Sequence, residues 1–182
     1  MQTLLEEDIF VTVNGGVNVN ASASVVTADV EAANGVIHAI DQVLLPNDFI
    51  SVVGIVTKRY DLTTLAGAVQ QAGLVSTLSD TESEFTIFAP TNAAFEGVDL
   101  SGLSQQELAD ILTYHVLDSE VLSSDLSDGQ TATTVNGADI DISIDGEGTV
   151  TINGNAVVQT VDLQGTNGVV HLIDGVLTPP SE

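Results

Sequence analysis

Three histidines and a scatter of carboxylates are the residues here on which chemistry could be built. Two of the histidines stand in the same short pattern, His38-x-x-Asp41 and His171-x-x-Asp174. Imidazole and carboxylate together can ligate a metal or pass a proton. A zinc site wants three or four ligands, and the chain offers one more histidine, His115, and no cysteine. No metal is therefore expected, and both patterns read as structural, each ring held by a nearby hydrogen bond. His115 follows Tyr114 at the end of an apolar helical stripe, where an aromatic ring more often seals a core than meets a partner. Asp141, Ser143, Asp145 and Gly146 copy the opening of a calcium loop. Its twelfth position is Ile152, where a bidentate carboxylate is required, so a strand and turn are the better reading. Asn20-Ala21-Ser22 is a glycosylation triplet of a kind that arises often by chance. No Gly-x-Ser-x-Gly, glycine-rich phosphate loop or His-Glu-x-x-His occurs. No catalytic residue is assigned, no cofactor is expected, and the chain is not expected to be an enzyme.

Charge narrows the partners. The 182 residues carry 26 acids against 2 bases, a formal net charge of −24. Such a chain can neutralise almost no phosphates, so nucleic acid and anionic membrane surfaces are excluded as partners. The imbalance suits a salty medium, where counterions screen self-repulsion. The two bases, Lys58 and Arg59, are adjacent. No apolar run is long enough for a transmembrane segment, and "MQTLLEEDIF" lacks the basic start of a signal peptide.

The elements that must position these residues come in two copies. Residues 34–46 read NGVIHAIDQVLLP and residues 167–179 read NGVVHLIDGVLTP, an offset of 133. The match runs backward without a gap through Asp29/Asp162, Asn20/Asn153 and Val17/Val150 to Ile9/Ile142. Residues 8–47 and 141–180 are thus two copies of one unit, and roughly 49–135 has no second copy. The repeated part reads as strands: ADIDISID alternates apolar and acidic residues, and Asp145-Gly146 and Asn153-Gly154 mark turns. The unrepeated part reads as helices around one strand. Leu62, Leu65, Ala66, Val69 and Ala72 share a helical face, with Gly73 as a left-handed stop. Ser104 and Glu107 stand at capping-box spacing before Leu108, Ile111 and Leu112. Helices followed by antiparallel strands predict an α+β fold.

Three segments in order, FTIFAPTNAAF (85–95), Tyr114-His115-Val116 and NGVVHLIDGVLTP (167–179), strongly resemble the fasciclin-like domain. The first and last look like that family's hallmark segments, and Tyr114-His115 matches its Tyr-His motif. The resemblance implies one complete domain over 49–180, preceded at 1–48 by the C-terminal half of another, as in a chain cut from a tandem array. The implied fold is an α+β wedge of two antiparallel sheets with several helices packed on one end. The implied function is an extracellular or cell-surface adhesion or matrix-binding module, its partner a surface or matrix protein or glycan. By the same resemblance Tyr114 and His115 become candidate binding residues, beside the packing role above. The alternative is a non-catalytic domain that holds a small ligand or polysaccharide in the wedge. Residues 1–47 are expected to lose the competition for the helices at 51–115 and to offer a face for self-association.

Overall fold

A computed structural model of the chain describes residues 2–4, 7–100 and 102–180. Two sheets organise it. The first has four antiparallel strands in chain order: β1 (Val11–Val13), β2 (Val17–Val19), β3 (Ala23–Ala32) and β4 (Gly35–Ile40). Then come α1 (Val52–Lys58), α2 (Thr63–Ala72), the single turn α3 (Val75–Leu78), β5 (Phe85–Pro90), α4 (Gln105–Thr113) and β6 (Val116–Leu117). The chain closes with β7 (Gln130–Thr133), β8 (Asp139–Ile144), β9 (Val150–Ile152), β10 (Ala156–Gly165) and β11 (Gly168–Ile173). These last strands join β5 and β6 in a seven-stranded sheet of order β6-β5-β11-β10-β9-β8-β7.

Local chemistry accounts for the helix ends. Ser104 and Glu107 form the expected capping box on α4, and Gly73 ends α2 at φ 74°. Asn92 acts across the fold: its side-chain oxygen accepts the Thr64 N–H at 2.9 Å while its amide donates to the Tyr60 carbonyl at 2.9 Å. An orphan donor of the first turn of α2 is satisfied in this way.

The seven-stranded sheet is a wedge because β10 serves two arms. Its first residues pair with β9 (Ala156 with Ile152), and its later ones pair with β11 (Leu163 with Val170), with register shifts between Val158 and Leu163. Asp162 sits at φ 58° within that break, and such bulges bend and twist a strand. The expectation of antiparallel strands meets one addition. β5 and β11 run parallel, Phe85 beside Gly168 through to Pro90 beside Ile173. Both are buried along their whole length, the condition under which parallel strands read as continuous apolar runs.

Two cores lie on the two faces of that pair. Phe85, Ile87 and Ala89 of β5 and Val170 and Leu172 of β11 pack with α1, α2 and α4. Phe88 and Ile173 face into the wedge, among Ile140, Ile142, Ile152, Leu126 and Tyr114. Of the predicted core residues, Phe85, Ile87, Phe88, Phe95, Leu108, Leu112, Val170 and Ile173 are buried, and Ile111 is half-buried.

The two repeat copies fold alike. Val25–Ile40, Thr27–Ala39, Val30–Ile37 and Glu31–Val36 pair in the first, and Val158–Ile173, Thr160–Leu172, Leu163–Val170 and Gln164–Val169 pair in the second. Even the left-handed residues coincide, Asn20 with Asn153 and Asp29 with Asp162. The ungapped match fails at one place. Val11 pairs with Val19, whereas Ile142 pairs with Ile152. Val11 and not Ile9 therefore stands where Ile142 stands. The connection β1–β2 is 14–16 and the connection β8–β9 is 145–149, and the shorter hairpin moves the strand before it by two residues.

Candidate functional site

Tyr114 and His115 lie where α4 gives way to β6, and the structure turns both inward, at 3% and 2% exposure. The Tyr114 hydroxyl donates to the Asp139 carbonyl at 2.9 Å and accepts from the Asn153 side-chain amide at 2.9 Å. Asn153 in turn accepts the Asp141 N–H at 2.8 Å. The ring thereby ties α4 to the β8–β9 arm of the wedge. His115 lies close to the carbonyl of Ile111 through Nδ1 (2.8 Å) and accepts the Leu177 N–H at Nε2 (2.9 Å). Accepting at Nε2 requires the proton on Nδ1, so Nδ1 is the donor to Ile111. Burial disfavours the charged ring and pulls the His115 pKa down to about 4, against a smaller opposing pull from the Ile111 carbonyl. Charging this ring would also set a donor against the Leu177 N–H.

His171 has the same character. It is fully buried and stacked on Phe88 at 5.6 Å. Its Nδ1 accepts the Asp162 N–H at 3.3 Å and its Nε2 donates to the Val121 carbonyl at 2.9 Å. Asp174 accepts the Val157 N–H at 2.7 Å and does not touch the ring. The His-x-x-Asp residues therefore act separately, each closing a backbone bond. Asp41 accepts from Ser24, and His38 from Asp29, in the matching places of the first copy. The calcium-like stretch is β8 and its turn, where Asp145 accepts the N–H groups of Glu147 and Thr149, both at 2.9 Å. Those bonds hold its carboxyl below the ordinary range, the Thr149 bond most. Asn20 is buried and accepts the Phe10 N–H at 3.0 Å.

One residue escaped the sequence reading. Asn167 is buried, accepts the Val52 N–H at 2.9 Å, and donates to the carbonyls of Leu78 and Asp80, both at 2.9 Å. It joins α1, α3 and the start of β11. Its signal was present, an asparagine at the head of both repeat copies, but only as part of a turn.

The two basic residues meet the N-terminal segment. Lys58 pairs with Glu7 at 3.2 Å, and Glu7 also accepts the Asn47 N–H. Arg59 forks onto Asp61 and lies 4.6 Å over the Phe10 ring, which meets Tyr60 edge-on at 5.4 Å. An apolar cleft bounded by Val53, Val69, Leu112 and His115 encloses about 20 Å³, room for roughly one water. Among the described residues no His, Asp and Glu groups gather to hold a metal, and no helix is long and apolar enough to cross a membrane.

The fasciclin domain model matches residues 1–46 and 60–179, and the chain belongs to the fasciclin domain family. It is 34% identical to transforming growth factor-beta-induced protein ig-h3 of Sus scrofa, over 92% of this chain and 25% of that protein. It is also 34% identical to human periostin, over 92% of this chain and 20% of that protein. The chain thus spans a quarter or less of these two relatives. A FAS1 domain pair from the insect cell adhesion molecule fasciclin I superposes with a TM-score of 0.61, covering 93% of this chain and 66% of that one at 24% identity. The likeness shows a shared fold.

Proposed function

We propose that the chain is an adhesion or matrix-contact module that works outside the cell or on its surface and catalyses nothing. Residues 49–180 would be its complete fasciclin unit and 1–48 the C-terminal half of a neighbouring one. One observation carries the reading: the three rings that could have formed a site, those of Tyr114, His115 and His171, are turned inward and hydrogen-bonded within the fold. Tyr114, His115 and His171 each hold two elements together. Contact with a partner then falls to the outer surface, which is strongly acidic. Kinship with a family that includes an insect cell adhesion molecule supports the same reading. Tyr114 and His115 enter it as positioning residues that set the shape of the α4–β8 region. The packed wedge interior favours this over a ligand held between the sheets.

The test is attachment. Surfaces coated with residues 1–182 should retain cells or matrix proteins above an acidic control protein, and Tyr114→Phe should reduce retention only as far as it reduces stability. Attachment at the control level, together with a glycan or small ligand that raises the melting temperature, would replace the proposal with the ligand-binding alternative.

A further inference from the structure

An asparagine followed by glycine can react with its own chain. The glycine nitrogen attacks the asparagine side-chain carbonyl, and no Cβ stands in its way. The chain holds five such pairs, which begin at Asn14, Asn34, Asn136, Asn153 and Asn167. The fold restrains four of them. Asn167 is buried, and its side chain makes three hydrogen bonds. Asn153 donates to Tyr114 and accepts from Asp141. Asn136 donates to the Asp110 carbonyl at 3.2 Å, and the Gly137 N–H is engaged by the Thr134 carbonyl at 2.8 Å. Gly35 pairs with Ala32 across a two-residue turn, and its N–H closes that turn.

Asn14-Gly15 has none of these restraints. It lies in the connection 14–16, between Val13 and Val17, which pair. Both residues are exposed, and a Cβ on Gly15 would meet nothing within 4 Å. Neither the Gly15 N–H nor the Asn14 side chain has a hydrogen bond to another described residue. The matching turn of the second unit is exposed from Asp145 to Gly148 as well, so the exposure belongs to the hairpin itself. That turn opens with an Asp-Gly pair, but the Asp145 carboxyl accepts the N–H groups of Glu147 and Thr149. Those bonds keep it ionised, and a carboxylate is a poor target for a nitrogen nucleophile.

We propose that Asn14-Gly15 is a site of self-modification, at which Asn14 loses its amide and becomes a mixture of aspartate and isoaspartate. The Gly15 nitrogen bonds to Asn14 Cγ, and the Cγ–Nδ2 bond breaks. Ammonia leaves with the proton that the Gly15 nitrogen gives up. Water then opens the cyclic imide. Attack at Cγ restores the main chain as aspartate, and attack at the main-chain carbonyl leaves isoaspartate, with Cγ in the backbone. An amide and a water become a carboxylate and an ammonium ion, so the formal charge moves one unit beyond −24. Isoaspartate adds a methylene to the turn that sets Val13 opposite Val17, at the edge strand β1 of the first sheet. Nothing in the fold reverses the reaction, so the modified fraction records the age of the molecule. The proposal is independent of the adhesive role.

The experiment incubates residues 1–182 at mildly alkaline pH and follows each Asn-Gly pair by peptide mass spectrometry. An isoaspartyl methyltransferase serves as the probe for isoaspartate. In the folded chain Asn14 should convert on the order of tenfold faster or more than any of the other four, which must first open locally. In urea all five should convert at similar rates. Asn14→Gln should abolish the fast phase of methyl acceptance and leave the melting temperature unchanged. Conversion of Asn14 no faster than the others in the folded chain would overturn the proposal. So would a lead for Asn14 that persists in urea, because the rate would then come from the neighbouring letters and not from the fold.

Discussion

His115 couples a buried ring to pH. It is neutral in the fold, with a pKa near 4, and ordinary when unfolded. The unfolded chain therefore binds the extra proton first. The contribution of the neutral ring is whole above the unfolded value near 6.5 and is lost as pH falls from there toward 4, on the order of 3 kcal/mol in all. Urea midpoints should fall from pH 7 to pH 5, and His115→Asn, which cannot titrate, should flatten that slope. An unchanged slope would show that the ring is charged or solvated in the fold. Phe88 offers a plainer test, being fully buried and stacked on His171. Phe88→Ala should cost about 3 to 5 kcal/mol, and a change below about half a kcal/mol would remove it from the core. Both rings were legible as packing residues from their place on apolar segments. Their partners were not, because Leu177, which donates to His115, and His171, which stacks on Phe88, are brought in by the fold.

At the scale of elements, what could be read was whatever is settled locally. The capping box of α4 and the glycine stop of α2 depend on residues within a turn of each other, and both formed. α1 was illegible. Its sequence VVGIVTK is β-branched around a glycine, a composition that favours strands, and burial of Val52, Val53, Ile55 and Val56 overrides the preference. The parallel pairing of β5 with β11 joins segments far apart in sequence, and no periodicity announces it. The two-residue slip before β2 was hidden because alternating apolar residues look alike in either register. The repeated asparagines give a paired prediction. Asn167→Ala leaves one buried N–H and two carbonyls without partners and should cost at least about 3 kcal/mol. Asn34→Ala should change the stability of this chain by less than about 0.5 kcal/mol. Equal effects in denaturant melts would mean that Asn167 is not the joint between α1 and α3.

Over the whole molecule, charge and coverage set the behaviour. A net charge of −24 opposes compaction, and added salt should relieve it. The Lys58–Glu7 pair is weakened by the same salt, but a partly exposed pair is worth only about 0 to 1 kcal/mol, so self-repulsion decides the sign. The melting temperature should rise from low salt to seawater-strength salt; a flat or falling curve would show that the Lys58–Glu7 pair or some other attraction dominates. The repeat made the two sheets visible in the sequence, and the missing second copy of 49–135 foretold which would be covered. β5 does pair with β11 and not with β4. The most direct measurement is therefore native-state amide exchange on residues 1–182, comparing Val36–Ile40 with Val169–Ile173, nearly the same letters in the same register. The β11 amides should exchange only through global unfolding, and the β4 amides on the order of a hundredfold faster or more. Equal protection of the two strands would contradict it.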